Sequence, residues 1–173
     1  MKPPACFLSL WASSRSPSLN LLTFENPVFS CYALAATLLI IKMMSQGWIT
    51  VFRMVKVDGG FRYPEDARKS LANPDPSPDQ LLPNEYVERS RRMHANDVEN
   101  IPLFLVAGLL YVCTSPGLWL AAGLFGAYVV SRLAHFLVLL TQQPHEVRAF
   151  SWTIGSLIVY FMAGAVIWRA LAR

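Results

Sequence analysis

The sequence predicts an all-α membrane protein that folds as a bundle of four transmembrane helices. Hydrophobic residues make up 54% of the 173-residue chain and charged residues only 15%, and the mean hydropathy is +0.36. Soluble domains of this size are usually less apolar. The apolar residues also gather in runs of about 20 or more, the length at which a helix crosses a bilayer. We therefore expect about four spanning helices and no separate soluble domain.

The four helices are predicted in one domain that covers residues 26–173. Their predicted ranges are 27–53, 85–113, 118–141 and 146–171. Asn26 can cap free backbone amides and Pro27 suits a first helical turn, so the first helix has a clear start. Residues 54–84 are rich in proline, glycine and both signs of charge, which predicts one exposed loop. Residues 1–25 hold only a short apolar patch and are predicted to be a disordered N-terminal extension.

The charge distribution indicates the class of partner and the orientation. The net charge is +4, but the basic residues lie at the edges of apolar runs and form no solvated stripe, so we predict no nucleic-acid partner. Three widely separated cysteines indicate neither a disulfide framework nor a metal site. Basic residues are dense in the first loop, whereas the turn at 113–118 has none. By the positive-inside rule, that loop faces the cytosol.

Polar residues are predicted to converge at the cytosolic end of the bundle. Arg53 ends the first helix, Arg132 and His135 lie one turn apart in the last third of the third, and Arg148 opens the fourth. Ionisable residues this close to lipid usually line a cavity or pair with each other. These side chains are therefore candidates for one shared site.

The second helix contributes a polar stripe to the same end. Arg89, Arg92, Asn96 and Glu99 are spaced by three, four and three residues, which places them on one helical face. Arginines with one carboxylate and one amide suit a small anion that carries two carboxylates and an amine. The alternative is a network of salt bridges between helices, and the pattern leaves both interpretations open. Lys42, inside the first apolar run, has the same two interpretations, an ion pair or a ligand contact.

The motif "VERSRRMHANDVENIPLF", residues 87–104, resembles the signature of the membrane-associated proteins in eicosanoid and glutathione metabolism, the MAPEG family. The segments "YPEDA", "SRLAH" and "IIKMM" resemble further family motifs, and the resemblance covers residues 26–172. It implies a homotrimer of four-helix subunits in the endoplasmic reticulum membrane, with the outer mitochondrial membrane as a second location. It also implies that glutathione is the co-substrate, bound on the cytosolic side between subunits, with no metal.

The resemblance assigns roles to individual residues. Arg148 is implied as the catalytic residue that stabilises the glutathione thiolate, and a fixed cation does lower the pKa of a nearby thiol. The implied glutathione contacts are Arg53, Arg92, Asn96, Glu99 and His135. The implied supporting residues are His94, Arg132 and Asp66. His135 can be interpreted as a general base or as an orienting hydrogen-bond partner, and we favour the second role.

Three departures from the family pattern distinguish its members. Ala149 follows Arg148 where the prostaglandin E synthases of the family have a serine, so no hydroxyl there can pair with Asp66. The segment "RAFS" instead resembles the glutathione transferases. Leu139 replaces a family tyrosine, and Trp152 is either a wall of the acceptor pocket, together with Leu139, or an interfacial anchor. The stretch "VDGG" lengthens the spacing between Arg53 and the "YPEDA" segment.

We therefore predict a membrane glutathione transferase with glutathione peroxidase activity. Its second substrates would be hydrophobic electrophiles or lipid hydroperoxides drawn from the bilayer, because a thiolate can attack either. The alternatives are a glutathione-dependent prostaglandin E synthase and a non-catalytic scaffold that binds membrane lipid.

Overall fold

The computed structural model of the chain describes residues 21–172. Its four α-helices are α1 (Pro27–Val57), α2 (Glu85–Val112), α3 (Leu118–Leu140) and α4 (His145–Leu171), and a short 3₁₀ helix covers Pro78–Leu81. Residues 21–172 contain no β-strand, so the predicted all-α class is confirmed. Most of the predicted N-terminal extension lies outside the described residues.

Local sequence signals set the helix starts. Asn26 accepts a hydrogen bond from the backbone amide of Val28 at 3.0 Å, and Pro27 is the first residue of α1. Asn84 caps α2 in the same way, accepting from the amide of Tyr86 at 3.0 Å. The α1 helix ends at Val57 and is capped by Asp58, which adopts a left-handed conformation with φ of 46°. The loop therefore starts at residue 58, four residues later than predicted.

Side-chain contacts between helices fix an antiparallel order. The Tyr32 hydroxyl donates to the carbonyl of Leu105 at 2.7 Å, near one end of α1, and Arg53 donates to the carbonyl of Tyr86 at 2.8 Å, near the other. The Tyr128 hydroxyl of α3 reaches the carbonyl of Asn100 in α2 at 2.8 Å. Within residues 21–172, no Cα atom of α1 lies within 8 Å of a Cα atom of α4, so these helices lie on opposite sides of the α2–α3 pair.

The interior has an apolar half and a polar half. In the apolar half, the rings of Phe104 and Tyr128 stack with centroids 4.1 Å apart, and Phe125 meets both Phe104 and Tyr32 edge-on. The polar half lies toward the C-terminal ends of α1 and α3. Its buried polar side chains are Gln46, Arg53, Ser90, Asp97, Ser131, Arg132, His135 and Ser151.

Three of the four predicted transmembrane helices, α1, α3 and α4, are long and apolar enough to cross a membrane. The fourth, α2, falls outside that set, because charged and polar residues fill its first half before the apolar run that begins at Ile101. Length and composition therefore support three spans, one fewer than the sequence predicted.

The loop between α1 and α2 folds back on itself around Gln80, which is buried. The Gln80 amide nitrogen donates to Asp58 at 3.0 Å and to Asn73 at 3.2 Å, while its oxygen accepts from Asn73 at 2.7 Å. The loop is tied to α2 by Arg91, which donates to the carbonyl of Gly60 at 2.6 Å. Most of the loop is exposed as predicted, but this centre is not.

Candidate functional site

A polar cavity of about 230 Å³ lies between the start of α2 and the turn that joins α3 to α4. Its lining residues are Glu85, Arg89, Arg92, Leu139, Gln142, Gln143 and Arg148. Arg89 and Arg92 reach it together because they are one helical turn apart. Three guanidinium groups and a single carboxylate give the cavity a net positive charge, which favours an anionic ligand.

Glu85 neutralises part of this charge. Its side-chain oxygen accepts hydrogen bonds from Arg92, at 2.5 Å, and from Arg89, at 3.2 Å. The hydrogen bond from Arg92 is the main reason why the pKa of the Glu85 carboxyl lies below its ordinary value. By contrast, Arg148 forms no ion pair with any carboxylate in residues 21–172. Its charge is therefore available to a ligand.

An apolar cavity of about 610 Å³ lies between α2 and α4. Leu103 and Val106 line it from α2, Trp152 and Val159 from α4, and Tyr128 from α3. Trp152 follows Arg148 by four residues, so one face of α4 carries the cation of the polar cavity and, one turn later, a wall of the apolar cavity. An anionic nucleophile and an apolar molecule could therefore bind close to each other along α4.

Arg132 and His135 lie behind this face of α4 and do not line the polar cavity. The Arg132 guanidinium donates to the carbonyls of Ser151 at 3.1 Å and Trp152 at 3.3 Å, and the His135 Nδ1 lies 2.8 Å from the Ser151 hydroxyl. A Cβ at Gly155 would stand 2.5 Å from the Arg132 guanidinium, so a larger residue there would require the Arg132 side chain to move. Both side chains thus support the first turns of α4.

A buried ion pair joins α1 to α2 at the same level. Lys42 pairs with Asp97, and the Gln46 amide donates a second hydrogen bond to the same carboxylate. The ion-pair interpretation of Lys42 is confirmed. Next to Asp97, the side-chain oxygen of Asn96 is buried and has no hydrogen-bond partner among the described residues.

The other residues assigned by resemblance lie outside both cavities. Arg53 is buried, with its guanidinium carbon 4.3 Å from the centre of the Tyr86 ring. Glu99 is exposed on α2, Asp66 is exposed in the loop, and His94 is half-buried on α2. Within residues 21–172, the structure therefore brings together Arg92, Leu139 and Arg148 at the polar cavity, whereas Trp152 lines the apolar cavity.

Some lining residues carry no signal in the sequence. Gln142 and Gln143 enter the polar cavity through the turn geometry between α3 and α4, and Gln142 has a positive φ of 63°. Ser151 lines neither cavity, but it lies three residues after Arg148 in the "RAFS" segment. This spacing of one helical turn could have indicated that Ser151 contacts the Arg148 turn.

The arginine salt bridges among residues 21–172 lie within α2 or join it to the preceding loop, so they are not the predicted network between helices. Glu85 pairs with Arg89 and Arg92, and Glu88 pairs with Arg62 and Arg91. Three of the arginines predicted to converge at the cytosolic end form no ion pair with a carboxylate in the described part of the chain. They are Arg53, Arg132 and Arg148. Salt bridges thus account for only part of the cationic charge.

Comparison with known proteins gives a consistent result. The model of the MAPEG family matches residues 32–168. Microsomal glutathione S-transferase 1 of Sus scrofa is 36% identical over 141 residues, which cover 80% of this chain and 88% of that protein. The Bos taurus protein of the same name is 36% identical over 140 residues, with the same coverage. Prostaglandin E synthase of Homo sapiens is 31% identical over 150 residues, which cover 86% of this chain and 94% of that protein.

Proposed function

The chain belongs to the MAPEG family, and from this premise we propose that it is a membrane-bound glutathione transferase. In this proposal it stabilises the thiolate of glutathione and joins it to hydrophobic electrophiles. The relatives named microsomal glutathione S-transferase 1 support the transferase activity and the use of glutathione as co-substrate.

The observation that carries the proposal is the position of Arg148. It lines the polar cavity without a carboxylate partner, one turn before Trp152 in the wall of the apolar cavity. A free thiol has a pKa of about 8.5 and is mostly protonated at neutral pH. A guanidinium next to the sulfur favours the thiolate and therefore creates the nucleophile.

The rest of glutathione also matches the charges of this region. Its carboxylates suit Arg89 and Arg92, which line the polar cavity. Arg53 and Glu99, two further contacts assigned by resemblance, lie apart from the polar cavity within one subunit. We propose that neighbouring subunits of a homotrimer complete the site and bring such residues to the ligand.

The chemistry follows from the thiolate. In conjugation, the sulfur forms a bond to the electrophilic carbon, the leaving group departs with its electron pair, and the thiol proton passes to solvent. In peroxide reduction, the sulfur attacks one oxygen of a lipid hydroperoxide and the O–O bond breaks, giving an alcohol and the sulfenic acid of glutathione. A second glutathione converts that sulfenic acid to the disulfide and water.

We place the protein in the endoplasmic reticulum membrane, with the outer mitochondrial membrane as a second location. The polar cavity and the basic first loop lie at the same end of the bundle, and the positive-inside rule assigns that end to the cytosol. Glutathione would then enter from the cytosol and the hydrophobic acceptor from the bilayer.

Conjugation of glutathione to a chlorodinitrobenzene acceptor by the purified protein in detergent tests the proposal. Arg148→Ala should lower kcat/KM by about a hundredfold, the usual scale for removing one group that stabilises a developing or fixed anion. Arg169→Ala is the matched control, since Arg169 is an exposed arginine near the other end of α4. Equal loss in both variants, or none in Arg148→Ala, would refute the proposed role of Arg148.

A second candidate function is the glutathione-dependent isomerisation of a prostaglandin endoperoxide. The 31% identity with human prostaglandin E synthase over most of both chains favours it. Ala149 weighs against it, because its methyl group cannot supply the hydroxyl expected there. Conversion of the endoperoxide by a preparation that fails to conjugate chlorodinitrobenzene would favour this function over the transferase.

A further inference from the structure

The first turn of α4 carries Arg148 but has little local support. The residue before the helix is Pro144, and no side chain caps the free backbone amides that follow it. Residues 141–148 are all exposed. Free amides and exposure are typical of a helix end that frays. A cation that must sit beside one sulfur atom needs a better-defined position than such a turn provides by itself.

Ser151 supplies the missing support from the next turn. It is buried, and its hydroxyl donates to the carbonyl of Arg148 at 3.0 Å. The same hydroxyl lies 2.8 Å from Nδ1 of His135 on α3. The Ser151 carbonyl accepts from Arg132, also on α3, at 3.1 Å. One residue therefore connects the Arg148 turn to two buried side chains of the neighbouring helix.

The direction of these bonds depends on the tautomer of His135. A serine hydroxyl has one hydrogen; when it points to the Arg148 carbonyl, Nδ1 of His135 donates to the Ser151 oxygen and Nε2 is left as an acceptor. The chain of hydrogen bonds runs from α3 through Ser151 to the backbone of Arg148.

We propose that Ser151 is the positioning residue for Arg148, holding the first turn of α4 against His135 so that the guanidinium stays in the polar cavity. The inference rests on the proposed function, because it assumes that Arg148 stabilises the glutathione thiolate. Ser151 itself does not line either cavity. Its effect should therefore appear in the ionisation of bound glutathione more than in the binding of glutathione.

The test measures the ultraviolet absorbance of the thiolate of bound glutathione as a function of pH, in the full-length protein in detergent. Ser151→Ala should raise the apparent pKa of the bound thiol by about half a unit to one unit. Well below that pKa, the thiolate fraction then falls about three- to tenfold. Measured by calorimetry well below that pKa, where glutathione binds as the thiol, the dissociation constant of glutathione should change by less than about twofold.

Thr153→Ala is the matched control. Thr153 is also a hydroxyl residue of α4 and also donates to a carbonyl of its own helix, that of Ala149 at 2.8 Å. It is exposed and lines neither cavity. Its removal should leave the thiolate pKa unchanged.

A pair of substitutions keeps the test independent of folding losses. Ser151→Thr and Ser151→Val add the same bulk and differ in the hydroxyl, so any cost of overpacking is shared. The threonine variant should keep the wild-type thiolate pKa and the valine variant should show the raised value.

The outcomes separate this inference from the proposed function. A wild-type thiolate signal that is unchanged in Ser151→Ala and equal in the threonine and valine variants would overturn the positioning role and leave the proposed function intact. A wild-type protein without thiolate would overturn both. A raised pKa in the alanine and valine variants alone supports the inference.

Discussion

Removal of the negative charge of Asp97 should destabilise the bundle strongly. The Asp97 side chain is 4% exposed and its partner Lys42 is 10% exposed, so both charges lie away from water between α1 and α2. Asp97→Asn keeps an acceptor for Gln46 but leaves the Lys42 ammonium unpaired. Breaking a buried pair in this way costs about 3–5 kcal/mol, a large part of the roughly 5–15 kcal/mol that stabilises a typical domain.

The double variant Lys42→Met/Asp97→Asn should recover most of that loss. It removes both charges, retains the length of the side chain at position 42, and leaves no uncompensated ion, so we expect a net cost of about 1 kcal/mol. The interaction energy from the double-mutant cycle of Lys42→Met and Asp97→Asn should then be about 2 kcal/mol or more in magnitude.

The assay follows the free energy of unfolding by tryptophan fluorescence in mixed micelles with an ionic detergent. Arg62→Met is the control, because the Arg62–Glu88 pair is 3.4 Å long and 61% exposed at the arginine, so its loss should cost about 0–1 kcal/mol. If Asp97→Asn costs no more than this control, or if the double variant shows the sum of the single losses, the reasoning about the buried pair is refuted.

Three further changes act on the cavities and their support. Glu85→Gln should tighten glutathione binding about two- to fivefold at low salt, because the Glu85 carboxylate competes with the ligand for Arg92. An unchanged affinity in calorimetry, or the same gain in affinity at high salt, would contradict this. Arg92 lowers the pKa of Glu85 in the folded protein. The stability that this pair contributes is therefore present above the unfolded-state pKa of Glu85 and is lost as the pH falls through the lower folded-state pKa. The unfolding free energies of the wild type and Glu85→Gln, measured against pH, should converge in acid. Ala163→Phe fills the apolar cavity and should lower kcat/KM for bulky apolar acceptors at least about tenfold, while the glutathione thiolate persists. Loss of the thiolate in this variant would contradict the assignment of the apolar cavity to the acceptor alone. Gly155→Ala forces the Arg132 guanidinium from its carbonyl partners and should cost about 1–3 kcal/mol in the same unfolding assay, whereas a neutral result would show that Arg132 has room to move.

The helix starts and the polar end of the bundle could be predicted because their signals are local. Asn26 and Asn84 cap the helices that follow them, and Arg89 and Arg92 share a face because of helical spacing. The predicted end of α1 was four residues too early. Arg53 was taken as a charge at the helix end, but it is buried against α2 and the helix continues past it. That burial is a tertiary effect with no local signature.

Which residues come together at the site depends on contacts between helices, and these could not be predicted from the sequence. The spacing within α3 places His135 one turn from Arg132, but only the crossing of α3 and α4 brings His135 to Ser151. Lys42 was recognised as an anomaly in an apolar run, yet its partner Asp97 is far away in the chain and became evident only from the packing of α1 on α2. Pairing across helices is the step that periodicity cannot supply.

In the proposed mechanism, Arg148 stabilises the thiolate of bound glutathione. The most direct measurement adds glutathione near neutral pH to the purified protein and follows the thiolate absorbance, first in the wild type and then in Arg148→Ala. We expect a thiolate signal in the wild type that is absent from Arg148→Ala and present in Arg169→Ala. A wild type without the signal, or an equal signal in Arg148→Ala, would contradict it.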